Sequence, residues 1–149
     1  MKLTHTFSQL NKKSSEIAGG KGASLGEMIN AGIPVPDGFV VLADTFERFI
    51  EETDINVEID NILHDVDTEA IHTVEKASAD IQHLIKTATM PQDIADEVIK
   101  QFDTLNAEYV AVRSSATAED GADHAWAGQL DSYLNTTKET VLEKVQDCW

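Results

Sequence analysis

The sequence predicts an α+β domain in which helices pack on a small, mainly antiparallel sheet. Apolar residues recur at helical spacing in several separate segments, Ile94, Val98 and Phe102 among them. Two β-rich runs, Phe39-Val40-Val41 and Tyr109-Val110-Ala111-Val112-Arg113, stand apart from those helices. No internal repeat and no Pro/Gly/Ser-rich linker divides the 149 residues, so they read as a single domain. A chain of this length buries roughly 70% of its unfolded surface, enough for a core.

The elements follow in order. Gly19-Gly20-Lys21-Gly22 reads as a glycine turn leading into a short helix, with Leu25, Met28 and Ile29 at helical spacing and Gly32 placed to end it. Pro34 and Pro36 favour an extended approach to the Phe39–Val41 strand. Asp44 and Glu47 form a capping-box-like pair before a helix whose inner face is Phe46, Phe49 and Ile50. Ile71, Val74, Ile81 and Ile85 support another helix through the 70s and 80s. Pro91 suits the first turn of the helix that carries Ile94, Val98 and Phe102. Tyr109 to Arg113 is a strand. The stretch from Ser114, SSATAEDGADHAWAGQ, is too small and polar for a strand or buried helix and reads as a loop of functional length. Gln129 to Leu134 follows as a second strand pairing across that loop. Thr136 and Glu139, at capping-box spacing, open a last helix with Val141, Val145 and Cys148 on one side. That helix reaches Trp149 with no glycine, proline or polar tail, so the expectation is a partial domain, truncated at its C-terminus.

Charge narrows the function classes. There are 27 Asp and Glu against 11 Lys and Arg, a net charge of −16, and such a surface repels nucleic acid and anionic membranes. The run from Phe49 to Glu75 holds nine acids and no Lys or Arg, and reads as a solvated helical surface. No stretch approaches the ~20 apolar residues of a membrane span, and the polar N-terminus does not resemble a secretory signal. A lone cysteine, Cys148, forms no internal disulfide and fits a reducing cytoplasm. It lies on an apolar helical face, where the expectation is an inert thiol. The five histidines show no metal-ligand spacing, and Asp65, Asp67 and Glu69 lack the rest of an EF-hand loop.

Against this acidic background two cations stand in unusual contexts. Lys21 sits in a glycine turn, where backbone amides and a helix N-terminus approach an anion and an ammonium adds a point charge for phosphate. The motif is not a Walker A loop, since Gly22 follows the lysine and Ser15 stands where a glycine is required. A tight turn with a solvent-facing lysine is the competing reading. Arg113 ends a strand beside Ser114, Ser115 and Thr117, a setting suited to bidentate contact with phosphoryl oxygens. Its competing reading is a surface ion pair with Glu119 or Asp120. The loop from Glu119 to Gly128 is short enough in side chain to close over a nucleotide, while Trp126 reads as a core anchor for the second strand.

Both cations lie in longer strings: GGKGASLGEM, then GIPVPDGFVV, and later YVAVRSSATAEDGADHAWAGQLDSYLN. Together these closely resemble the N-terminal ATP-binding domain of phosphoenolpyruvate synthase and related dikinases. The resemblance covers both ends of the chain and leaves out the acidic middle, about residues 51 to 107. It implies an ATP-grasp-type fold with the nucleotide held between two lobes. It also implies an enzyme that, at full length, makes phosphoenolpyruvate from pyruvate, ATP and water through a phosphohistidine on a separate swivelling domain, releasing AMP and phosphate. Carried over by position, Lys21 and Arg113 hold ATP phosphates, and Gly128 and Ser132 touch the nucleotide. Mg²⁺ ligands and the pyruvate site are expected outside this chain, so no catalytic residue is assigned here and the chain alone is expected to be inactive. Gly121-Ala122 stands where the family usually has Leu-Pro, Trp126 where it has Phe, and Ser132 where it has Thr. Rifampicin phosphotransferases and glucan water dikinases share the same branch, and a non-catalytic nucleotide-binding module is a third reading. An exposed surface left for the second lobe predicts a tendency to self-associate.

Overall fold

The computed structural model describes residues 1–117 and 131–149. Within them the architecture is α+β, with six helices and two separate two-stranded antiparallel sheets in place of the single expected sheet. The first sheet pairs β1 (Thr4–Thr6) with β2 (Phe39–Val41), in the register Thr4↔Val41, His5↔Val40 and Thr6↔Phe39. Three polar-flanked residues carry no periodic signal, which is why β1 is invisible in the sequence. Its anchor is tertiary: the buried Thr4 hydroxyl donates to the Glu97 carboxylate at 2.7 Å. The second sheet pairs β3 (Val110–Arg113) with β4 (Ser132–Thr136), with a register irregularity between Val110 and Val112.

The two sheets share a core without sharing an edge. Phe39 and Val41 from one, and Val110 and Val112 from the other, pack on a cluster of Val98, Phe102, Val141 and Val145. On its opposite face β2 sends Val40 against Leu10, Ala18 and Leu42. A strand apolar on both faces reads as the unbroken run Phe39-Val40-Val41.

Helix α1 (Ser15–Asn30) is interrupted at Gly19, whose φ of 72° and ψ of 170° are non-helical. Its far end closes as expected: Gly32, at φ 81°, donates its N–H to the Ile29 carbonyl while Ile33 donates to Met28, both at 3.0 Å. This pair of bonds is the Schellman pattern, and it requires a left-handed residue after the cap.

Helix α2 (Ala43–Glu52) begins after Leu42, so Asp44 lies inside the first turn and caps nothing. The expected capping box is absent, and the buried Thr45 hydroxyl instead donates to the Leu3 carbonyl at 2.7 Å. Helix α3 (Ile55–His64) occupies the acid-rich run, in keeping with its reading as a solvated helical surface. It buries Ile55 and leaves Val57 and Leu63 exposed, so its amphipathic signal is weak. In α4 (Ile71–Thr87) the expected stripe is half right. Ile85 is buried and Ile81 packs on the core, but Ile71 is 72% exposed and Val74 also faces solvent. Helix α5 (Gln92–Leu105) buries Ile94, Val98 and Phe102 as expected. Helix α6 (Val141–Cys148) starts later than Thr136, which is a buried residue ending β4. A turn between them is held by the Thr137 N–H donating to Thr140 Oγ1 at 3.1 Å.

A second cluster, Phe49, Ile55, Ile85 and Ile94, joins the first through Met90 and Trp149, which pack on both. The Trp149 ring lies 4.7 Å from that of Phe49 and 5.6 Å from that of Phe46, so the last residue closes the core. Gly32 has open space around its Cα, so Gly32→Ala tests the backbone conformation alone. Left-handed φ in an L-residue costs about 1 kcal/mol, and urea denaturation of the variant is expected to show a loss of that size with an unchanged m-value.

Candidate functional site

The break in α1 exists to let another segment in. Where the chain leaves β3, residues Ser114, Ser115 and Ala116 lie directly on Gly19-Gly20-Lys21-Gly22. The Ser115 hydroxyl donates to the Ala18 carbonyl at 2.9 Å and accepts the Gly22 N–H at 3.3 Å. The Gly20 N–H donates to the Ala116 carbonyl at 3.1 Å. No side chain fits at Gly19, because a Cβ there would stand 2.6 Å from the Ser115 carbonyl carbon, and its φ is one that L-residues avoid.

This contact corrects one part of the expected chemistry. The amides of Gly20 and Gly22 are bonded to the chain's own β3 exit, so they are not presented outward as an anion cradle. What the turn does position is Lys21. Its half-buried side chain sends Nζ 2.9 Å from the Ser114 carbonyl, the residue next to Arg113. A solvent-facing lysine on a bare turn is thereby ruled out.

Arg113 is the last residue of β3 and is exposed, with no hydrogen bond or ion pair to its side chain among the described residues. Its partner in register is Ser132, the first residue of β4. Directly opposed residues of an antiparallel pair project from the same face, so two of the expected site residues share one surface. The mouth of the hairpin is closed by the Ser114 N–H and hydroxyl, which donate to the Asp131 carbonyl at 3.1 and 3.2 Å. Gly128 lies outside the described residues, as do Glu119, Asp120 and Trp126.

Sequence reasoning missed two neighbours of this site. Ser115 passed as one hydroxyl in a polar loop, although the Ser-Ser doublet after a strand-end arginine was its only signal. Cys148, on the last turn of α6, feels both Lys21 and Asp131 electrostatically. Burial pushes its thiol up to about 11, with Asp131 and Asp147 raising it further and Lys21 and Lys144 opposing them. Burial likewise raises the Tyr133 hydroxyl, helped by Asp131 and Asp147, while the Lys144 ammonium stands 4.9 Å from the centre of the Tyr133 ring. Among the described residues no three His, Cys, Asp or Glu side chains are grouped to hold a metal ion, and no helix is long and apolar enough to cross a membrane.

A lysine from a helix break, bonded to the residue that follows a strand-end arginine, invites comparison with known proteins. Residues 15–149 match the family model described as pyruvate phosphate dikinase, AMP/ATP-binding domain. The chain belongs to this family. Its relatives include a probable phosphoenolpyruvate synthase of Methanocaldococcus jannaschii, 44% identical across 100% of this chain and 13% of the relative. Another, from Methanothermobacter thermautotrophicus, is 40% identical across 100% of this chain and 23% of the relative. A Helicobacter pylori phosphoenolpyruvate synthase is 38% identical across 95% of this chain and 19% of its own length. The chain thus spans less than a quarter of the length of these three relatives. The family match takes in the glycine turn, β3 and β4, and also the acidic middle that the motif resemblance left out.

The thiol supplies a test of the geometry. At pH 8 a pKa near 11 leaves Cys148 with a thiolate fraction more than ~100-fold below that of a free cysteine. Alkylation by iodoacetamide is expected to be slowed accordingly, and Lys21→Ala, which removes a nearby cation, should slow it further. An unchanged rate in Lys21→Ala would separate the two residues.

Proposed function

We propose that this chain grips the phosphates of ATP as part of a phosphoenolpyruvate synthase-type dikinase, within an ATP-grasp-type domain completed by sequence beyond it. The observation that carries the proposal is the meeting at the β3 exit of Lys21 with the strand pair that bears Arg113 and Ser132. An AMP/ATP-binding family assignment supports it. In the complete enzyme the nucleotide would be ATP, the acceptor pyruvate and the products phosphoenolpyruvate, AMP and phosphate.

Each group has a distinct role in that reading. Arg113 offers a planar fork of donors to two phosphoryl oxygens. Lys21, held by the Ser114 carbonyl, supplies a fixed positive charge that needs no reorganisation as negative charge shifts along the polyphosphate. Ser132 adds a hydroxyl on the same face, and Gly128 is carried over by position as a further nucleotide contact. Phosphoryl transfer asks for positioned cations more than for covalent help from protein. Mg²⁺ would accompany ATP and take its protein ligands elsewhere in the enzyme. Without those ligands and a phosphohistidine the chain alone transfers nothing.

Calorimetric titration of ATP into this chain, with Lys21→Ala and Arg113→Ala alongside, tests the grip. Losing one charge-assisted bond of roughly 1.5–3 kcal/mol corresponds to a ten- to hundredfold weaker affinity. That is the loss expected for either variant, and no AMP should form when pyruvate is added. Heats equal to wild type in both variants would remove these residues from the site.

The outer face of the β3–β4 hairpin, where Leu134 is 73% and Tyr109 56% exposed, is proposed to seat the remainder of the nucleotide-binding domain. In its absence this face should drive self-association at high protein concentration. Leu134→Lys should then shift gel-filtration elution toward the monomer, and a wild type that elutes as a monomer at every concentration would refute the assignment.

A further inference from the structure

We infer that Ser115 is a positioning residue whose hydroxyl latches the β3 exit onto the glycine turn and so holds Lys21 beside the strand that carries Arg113. The inference rests on the reading of this site as an ATP grip, but its structural part can be judged without nucleotide.

The two cations belong to segments more than ninety residues apart in the chain, and four hydrogen bonds join residues 18–22 of one segment to Ser114, Ser115 and Ala116 of the other. Ser115 makes two of these bonds, donating to the Ala18 carbonyl and accepting from the Gly22 N–H. It therefore bridges the two sides of the helix break, one residue before Gly19 and one after Lys21. The other two, from the Gly20 N–H to Ala116 and from Lys21 Nζ to Ser114, flank it on either side. A serine hydroxyl can donate and accept at once, and both capacities are used here. Alanine could do neither. The fit is closed from the opposite side by Gly19, whose missing Cβ is the space into which the Ser115 backbone and hydroxyl settle. The carbonyl of Ala18 and the amide of Gly22 would form a direct helical bond if α1 ran straight. Ser115 takes the place of that bond, and the helix break and the serine are thus two halves of one device.

A structural filler would act on overall stability alone. A latch acts on two particular amides and on the cation between them. Amide hydrogen exchange on the nitrogen-15-labelled chain separates these. In Ser115→Ala the Gly20 and Gly22 amides should lose roughly tenfold or more of their protection, while Val98 and Phe102 in α5 keep theirs, because only the local opening becomes easier. Gly19→Ala, which crowds the same contact from the other side, should release the same two amides. ATP affinity measured on Ser115→Ala should fall about tenfold although neither cation is altered. Unchanged protection at Gly20 and Gly22 would overturn the latch, as would a uniform loss across α5. Local release with undiminished ATP affinity would overturn its positioning role. A wild-type chain that shows no ATP heat would count against the ATP grip, while the exchange data would still decide the latch.

Discussion

The arrangement of the site depends on one constraint: a helix and a strand exit must come within hydrogen-bond distance of each other's backbone. Only glycine at position 19 allows it, since any side chain there would occupy the volume of Ser115. The conformational freedom of glycine is used here for close approach as well as for its φ of 72°. The consequence for charge is direct. A lysine one turn into a regular helix would sample many rotamers in water, whereas Lys21 is half-buried and tied to the Ser114 carbonyl. Fixing the ammonium in advance removes part of the ordering cost of any contact it makes with a ligand.

The rest of the fold serves to hold these two segments at the same end of the molecule. The glycine turn rides on α1, which packs through Ala18 against Leu10, Leu42 and β2. Strand β2 then reaches through Phe39 and Val41 to the cluster that also receives Val110 and Val112 of β3. A continuous apolar path therefore connects the two cations through the interior. Electrostatics complements it. In a chain of net charge −16, several cations are neutralised at the surface, as where Arg48 bonds to Glu52 and Asp93, which raises the pKa of Arg48 and lowers that of Asp93. Arg113, with no such partner among the described residues, lies at the place where the strand pair opens.

Family membership and geometry address different questions. The match over residues 15–149 assigns the chain to an AMP/ATP-binding domain family, and the relatives named as phosphoenolpyruvate synthases are several times longer. How Lys21 and the strand pair that bears Arg113 are held is a matter of local contacts. They also revise the simplest picture of the glycine turn. The amides of Gly20 and Gly22 make internal structural bonds and are not presented to an anion.

The sequence by itself determined the periodic elements and the two cations. Helix α5, the strands at Phe39 and Val110, and the buried faces of α2 and α6 were legible because apolar spacing reports directly on one-sided burial. Lys21 and Arg113 were legible because a glycine turn and a strand-end arginine are local patterns. Only the tertiary structure decided the remainder. Strand β1 has no periodicity of its own and forms because Thr4 and His5 find partners across the fold. The acidic run read as a helical surface, but the bounds of α3 within it were not legible because it buries little beyond Ile55, and the first turns of α4 expose apolar residues that spacing would have put inside. The role of Ser115 was invisible, and so was the segment for which the turn at Gly19 makes room. Both depend on a contact between residues 18–22 and 114–116, and no local pattern encodes which distant backbone a hydroxyl will meet.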